Sequence, residues 1–404
     1  MNPRKKSVST CIISLMILYV TGCSEDFLPE PFEKSSLDIQ IVSGNYQQGD
    51  NTEFLKDSIV FIITDLNQNP VPGKPVDFHI VAGGGMLDDN QRMTDSEGMV
   101  YVKWKAGTGI DQIFKATVKD DNGIAAESWV ISNSDIELTT KWISGVNFYS
   151  NFTEPLQHDN KILETNNFLI FSDAASDDNK VIFAKIAEEH LYDILTWFEL
   201  EYQELGIDKR DRKTKIKIYA HTNTTTPGIW RGEENYGILI QSYASPGWVR
   251  EALKHELVHM VELLTIGPEN FVGSCPPVWF TEGIAESLSG NTCICPTPAD
   301  AYPINSQTKL ESWFGSHKNP VTIEEFSDMG SARACEYYEM FGLVINYLLD
   351  PEGGDVDCDQ VKGMYKDLAV NKNFSISFEQ NVSISLTELE DSIFNWLTNY
   401  LPEK

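Results

Sequence analysis

The sequence predicts a multidomain chain: an all-β sandwich over residues 37–134, then an α+β domain over 137–404 in which a small sheet leads into helices. Two observations predict this. Up to residue 134, apolar and polar residues alternate in short runs, the period of a half-buried strand. Beyond residue 137, apolar residues recur mostly at steps of three and four, the period of a helix. A length of 404 residues suits two or three domains rather than one.

In the first region the runs "LDIQIVSG", "SIVFIITD", "VDFHIVAG", "MVYVKWKAG", "QIFKATVKD" and "ESWVISNS" are rich in Val, Ile, Phe and Tyr. Val76, Phe78 and Ile80 point one way, Asp77 and His79 the other, which makes His79 a solvent-facing strand residue. Val100, Val102 and Trp104 oppose Tyr101 and Lys103 in the same manner. Turn sequences separate the runs: "NQNPVPG" at 67–73, "GGG" at 83–85, "DSEG" at 95–98 and "DDNG" at 120–123.

In the second region "NFLIFSD" (167–173), "KIKIYA" (215–220) and "YGILIQSY" (236–243) are expected strands. Between the first two, Phe183, Ala187, Leu191, Ile194, Phe198, Tyr202 and Leu205 form one apolar helix stripe. From 245 onward the chain is expected to be mainly helical. Ser385 and Glu388 form a capping-box pattern ahead of the final helix.

Arg4, Lys5 and Lys6 precede an apolar run of ten, "CIISLMILYV" (11–20). That run is too short to span a bilayer and has the length of a signal-peptide core. "VTGC" (20–23) closes it and resembles the lipobox of bacterial lipoproteins. The resemblance implies cleavage after Gly22, acylation of Cys23 and attachment to the membrane through acyl chains. Residues 1–22 are thus an expected signal peptide and 23–36 an acidic tether. "SED" (24–26) resembles the surface-export signal of some Gram-negative lipoproteins, which implies an outer-membrane, outward-facing location. The formal net charge of −29 argues against nucleic acid and anionic lipid headgroups as partners. Of seven cysteines, Cys11 leaves with the signal and Cys23 takes lipid. Cys275, Cys293, Cys295, Cys335 and Cys358 remain, an odd number in a compartment that permits disulfides; one or two loop disulfides are expected, with their pairing open.

"TDLNQNPVPGKPVDFHIVAGGGML" (64–87) followed by "TDSEGMVYVKWKAGTG" (94–109) resembles the bacterial immunoglobulin-like domains of invasin and intimin type. The resemblance covers nearly all of 37–134 and implies a rigid spacer or binding module without chemistry of its own.

"KHELVHM" (254–260) carries the chemistry. Ser245 suits the N-cap of its helix, Pro246 the first helical position and Gly267 the stop. Val249, Leu253, Leu257, Met260 and Leu264 form the buried stripe, and His255 and His259 lie off it. Four residues advance a helix by about 400°, so the two imidazoles stand nearly one above the other and can reach one ion. Glu256, turned about 100° away, can reach a water beside that ion rather than the ion itself. H-E-x-x-H arises by chance in about one in a hundred chains of this length, so a third ligand is required. Glu282 in "PPVWFTEGIAES" (276–287), 23 residues after His259, supplies a carboxylate on a second helix. Two histidines, one carboxylate and an open fourth position make a catalytic zinc arrangement.

"HELVH" with "WFTEGIAE" resembles the gluzincin metallopeptidases, in particular the thermolysin-like and aminopeptidase N-like catalytic domains. The resemblance implies one Zn2+ held by His255, His259 and Glu282, with Glu256 as general base. It also places Glu286 as the acidic partner of a ligand histidine. "YYEMFGLVINYLL" (337–349) resembles the segment that holds the transition-state tyrosine of aminopeptidase N-like enzymes; Tyr338 aligns best and Tyr337 is its rival. "GEEN" (232–235) departs in its first half from the aminopeptidase sequence that grips a free amine, which leaves endopeptidase action as the expectation. The strand around Ile238–Gln241 is the expected substrate-binding edge, and the loop-like segment 293–335 could cover the site. The expected function is therefore zinc-dependent hydrolysis of a peptide or protein substrate by a lipid-anchored envelope protein. The alternatives are an inactive peptidase-like adhesin and a purely structural zinc.

Overall fold

The computed structural model describes residues 33–134, 136–144, 161–222, 227–231, 236–241, 246–267, 276–290, 304–329 and 334–401. The signal segment, Cys23, "SED", "GEEN", Ser245, Cys275, Cys293 and Cys295 lie outside them, as does the side chain of Cys335. Among the described residues Cys358 is a free thiol. None of the described helices is long and apolar enough to cross a membrane.

The N-terminal part is β-rich. It comprises β1 (Leu37–Ser43), β2 (Ile59–Asp65), β3 (Pro75–Ala82), β4 (Gly85–Leu87), β5 (Gln91–Met93), β6 (Met99–Val102), β7 (Trp104–Ala106), β8 (Gln112–Lys119) and β9 (Ala125–Ser132). One sheet runs β1-β2-β6, a second β5-β3-β8-β9, and β4 pairs with β7. Their shared core has Phe61, Phe78 and Phe114 in mutual ring contact at 5.9–6.4 Å, with Trp104 edge-on to Phe114 at 5.0 Å. Val76, Phe78, Val100, Val102 and Trp104 are buried while Asp77, His79, Tyr101 and Lys103 are exposed, as the alternation predicts. "MVYVKWKAG" is nevertheless two strands. Its first half pairs with β2, and after Lys103 its second half pairs with β4.

The second part begins with a six-stranded mixed sheet. Its strands are β10 (Lys141–Ile143), β11 (Ile162–Glu164), β12 (Phe168–Ser172), β13 (Ile216–His221), β14 (Gly228–Arg231) and β15 (Tyr236–Gln241), in the order β10-β11-β12-β13-β15-β14. β12, β13 and β15 are parallel, and β14 lies antiparallel to β15 at the margin. The expected peptide-binding edge at Ile238–Gln241 is thereby corrected. Those residues pair with β13 on one side, Ile238 and Leu239 also pair with β14 on the other, and among the described residues β14 is the edge strand at this margin.

The helices are α1 (Asp177–Trp197), α2 (Pro246–Ile266), α3 (Val278–Ser289), α4 (Gln307–Phe314), α5 (Ala334–Leu349), α6 (Cys358–Asn371), α7 (Phe374–Asn381) and α8 (Leu386–Tyr400). α1 stops at Trp197, short of the expected stripe's end. Glu199 turns into the left-handed region, and Tyr202–Leu205 form a separate 3-10 turn. Ser385 caps α8 by accepting from the Glu388 amide at 3.1 Å. Segment 304–329 is not a free loop. It contains α4, buries Leu310 and Ile323 completely, and takes the Trp279 amide on the Ile323 carbonyl at 3.2 Å. α2 packs against β15 and is flanked by α1, α3 and α6.

The β-rich part is fastened to this body. Ile113 and Ile131, on the outer face of β8 and β9, belong to the same buried core as α1 and α2. The Trp129 indole donates to Asp178 at 2.9 Å, and Lys115 pairs with the same carboxylate. Asp111, just before β8, pairs with Lys185 of α1 and Arg250 of α2; Glu189 of α1 pairs with both cations in turn. Lys185 and Asp111 are 1% and 7% exposed, so those two charges depend on their partners rather than on water. Removing one partner from a buried ion group costs about 3–5 kcal/mol. Asp111→Ala is expected to destabilise the whole described body by about that much in urea unfolding, with fluorescence and far-ultraviolet dichroism falling together. An early transition of the β-rich part alone would contradict this.

Candidate metal centre

α2 carries His255 and His259 one helical turn apart, with ring centroids 4.8 Å from each other. Its ends are as expected: Pro246 is the first helical residue, and Gly267 stops the helix at φ +89°. Val249, Leu253, Leu257 and Met260 are fully buried beneath it. α3 carries Glu282 and Glu286 on the face turned to α2. On its opposite side Gly283 allows α3 to approach α5 closely, because a Cβ there would stand 2.6 Å from Ile345 Cγ1 and 2.8 Å from the Phe341 carbonyl of α5. Aromatic packing of Trp279 and Phe280 against Phe374 fixes the other side of α3.

Three donor atoms meet. His255 Nε2 lies 3.2 Å from Glu282 Oε2, His259 Nε2 lies 3.3 Å from the same oxygen, and the two nitrogens are 3.2 Å apart. Ligands about 2.0–2.1 Å from a tetrahedral ion stand about 3.3–3.4 Å from one another, so this triangle has the dimensions of one face of a zinc site. Among the described residues it is the one group of His, Cys, Asp and Glu side chains whose ligand atoms converge in this way.

The outward nitrogens fix the chemistry of the inward ones. His255 Nδ1 faces Glu286 Oε1 at 3.2 Å, and His259 Nδ1 faces Glu262 Oε2 at 3.0 Å. With a carboxylate oxygen facing each Nδ1, the neutral imidazole that donates from Nδ1 turns its Nε2 lone pair inward. Two lone pairs and a carboxylate oxygen directed at one point repel unless a cation lies between them. This donor set fits zinc. In the metal-free form, protons take that part. Burial lowers the His255 pKa, but hydrogen bonds to Glu282 and Glu286 outweigh it and raise it to about 9. His259 is likewise raised against burial, by Glu282 and Glu262. Burial opposes the Glu282 charge, yet the two histidines hold its carboxyl well below the usual range.

Glu256 is buried beside the triangle. Burial raises its pKa, with the two histidines pulling the other way and Glu282 adding to the rise. Tyr338 of α5 stacks on His255, centroids 6.2 Å apart and planes at 22°. Tyr337 turns away, packing on Trp313 and accepting the Lys318 amide at 3.1 Å. Glu286, named from the sequence, has its Oε1 against His255 Nδ1. Glu262 was missed, although its position three residues after His259 on one helix was a readable cue. Tyr365 of α6, whose hydroxyl donates to Glu262, gave no cue in sequence.

No protein-family model matches the chain, and no curated protein does. Among solved structures it is similar to native yeast LTA4 hydrolase at 11% identity, over 93% of this chain and 70% of that one, with a TM-score of 0.34. It is similar to a metallopeptidase from Bacteroides thetaiotaomicron at 12% identity, over 88% and 60%, with a TM-score of 0.30. It is similar to the D00-D0 domain of intimin at 22% identity and a TM-score of 0.18, over 24% of this chain; it spans 45% of that structure.

Two outcomes are expected from the geometry. Gly283→Val forces α3 away from α5 and costs about 1–3 kcal/mol in urea unfolding, the range for overpacking; an unchanged midpoint would contradict the close approach. The second concerns pH in the chelator-treated protein. The stability contributed by His255 is complete below its ordinary pKa of 6.5 and is lost as pH rises through about 9. That of Glu282 is complete above 4.5 and lost as pH falls. Melting temperature should therefore fall between pH 6.5 and 9.5 without metal, and hold or rise over that interval with zinc, which needs neutral imidazoles. The same pH slope with and without zinc would contradict the arrangement.

Proposed function

We propose that this chain is a zinc-dependent peptidase of the cell envelope that cleaves bonds within peptide or protein substrates. The observation supporting the reading is the meeting of His255 Nε2, His259 Nε2 and Glu282 Oε2, each imidazole backed by its own buried carboxylate. Three protein ligands are the donor count of catalytic zinc, whereas structural sites use four.

When bound, zinc supplies Lewis acidity and brings the pKa of a water from about 15.7 toward 7. Glu256 takes the proton of the attacking water and delivers it to the leaving amine. A pKa raised by burial suits a group that must hold a proton between those two events. Tyr338, stacked on His255, donates its hydroxyl hydrogen to the oxyanion. A substrate segment adds along β14, an edge strand of the sheet among the described residues. The β-rich part, read as an invasin/intimin-type immunoglobulin-like domain, spaces this body from a lipid anchor on Cys23. Cleavage of residues 1–22 and an acidic tether over 23–36 complete an outer-membrane lipoprotein, with no nucleic acid among its partners.

Glu256→Gln is expected to keep stoichiometric zinc while cleavage of a peptide library falls at least about a hundredfold. Cleavage at the wild-type rate would overturn the base assignment. Zinc retained by the wild type, with no cleavage in any library, would favour the peptidase-like binding protein instead.

A further inference from the structure

We propose that Tyr365 is a positioning residue of the metal centre, bracing the two ligand-bearing helices at once and holding His259 with its Nε2 toward Glu282. This rests on the reading of the site as a zinc centre.

Glu262 is fully buried, so water does not serve its carboxylate. Oε2 takes the His259 Nδ1 hydrogen at 3.0 Å, and Oε1 takes the Tyr365 hydroxyl. A carboxylate bonded at both oxygens has a fixed plane, and its inner oxygen stays aimed at the imidazole. With one oxygen released it can swing about its last bond and carry the ring with it. The Tyr365 ring is itself fixed. It stands edge-on to Phe280 at 6.0 Å, two residues before Glu282 on α3, and lies against Phe198 at 5.7 Å beyond the end of α1. It too is fully buried. One residue of α6 thus touches α2 through its hydroxyl and α3 through its ring, and those helices supply all three ligand atoms.

Tyr365→Phe keeps the ring contacts and deletes the hydroxyl. Zinc affinity, read by competition with a chromophoric chelator, should weaken about 10- to 100-fold, the usual effect of losing an outer partner of a ligand histidine. The visible spectrum of the cobalt-substituted protein should shift in position or intensity per bound ion, which a loss of general stability would not produce. Glu262→Gln should shift that spectrum as well, and Tyr365→Phe should add little on top of it. Wild-type affinity and spectrum in Tyr365→Phe would overturn the proposal, as would an equal loss in the Glu262→Gln background. Failure of the wild-type protein to hold zinc would sink the zinc reading along with it.

Discussion

Two imidazole nitrogens 3.2 Å apart, both turned to one Glu282 oxygen, impose a condition that the surrounding structure must meet. Such a group is stable in a low-dielectric interior only with positive charge at its centre. The protein builds the condition with depth: three more buried carboxylates, Glu256, Glu262 and Glu286, surround the triangle. Two of them orient the rings; the third, Glu256, is left for proton transfer in the proposed reaction. Placing so many acids in a core is costly unless each has an assigned partner, and the observed hydrogen bonds supply partners for Glu262, Glu282 and Glu286.

Holding that geometry falls to packing. α3 reaches α2 at the right height because Gly283 lets α5 approach from behind, and aromatic rings on α6 and α7 close the remaining side. The β-rich part joins the same scheme. Its Asp111 anchors Arg250, five residues before His255 on α2, so the ligand helix is fixed from the N-terminal region as well. A module that resembles a spacer in sequence also braces the ligand helix through its contacts.

Much of the fold and most of the site could be read in the sequence because they depend on local period and short spacing. Alternation exposed the strands of the β-rich part, and the four-residue step of His255 and His259 needed only helix geometry. What escaped was set by tertiary context. β14 is four residues long, too short for a period. The stripe through Tyr202 and Leu205 kept helical spacing although the chain turns at Glu199, because a 3-10 turn returns both residues to the core. Tyr365 lies 103 residues from Glu262, and nothing local announces a hydroxyl aimed at a buried acid. The interior position of β15 could not be seen without knowing that β14 exists.

The most direct test of the central claim is X-ray absorption at the zinc edge on purified residues 24–404, with metal content measured on the same sample. One zinc per chain with only nitrogen and oxygen neighbours at about 2.0–2.1 Å, including two imidazoles, is the predicted result. Absence of zinc, or sulfur scattering at about 2.3 Å from thiolate ligands, would contradict it.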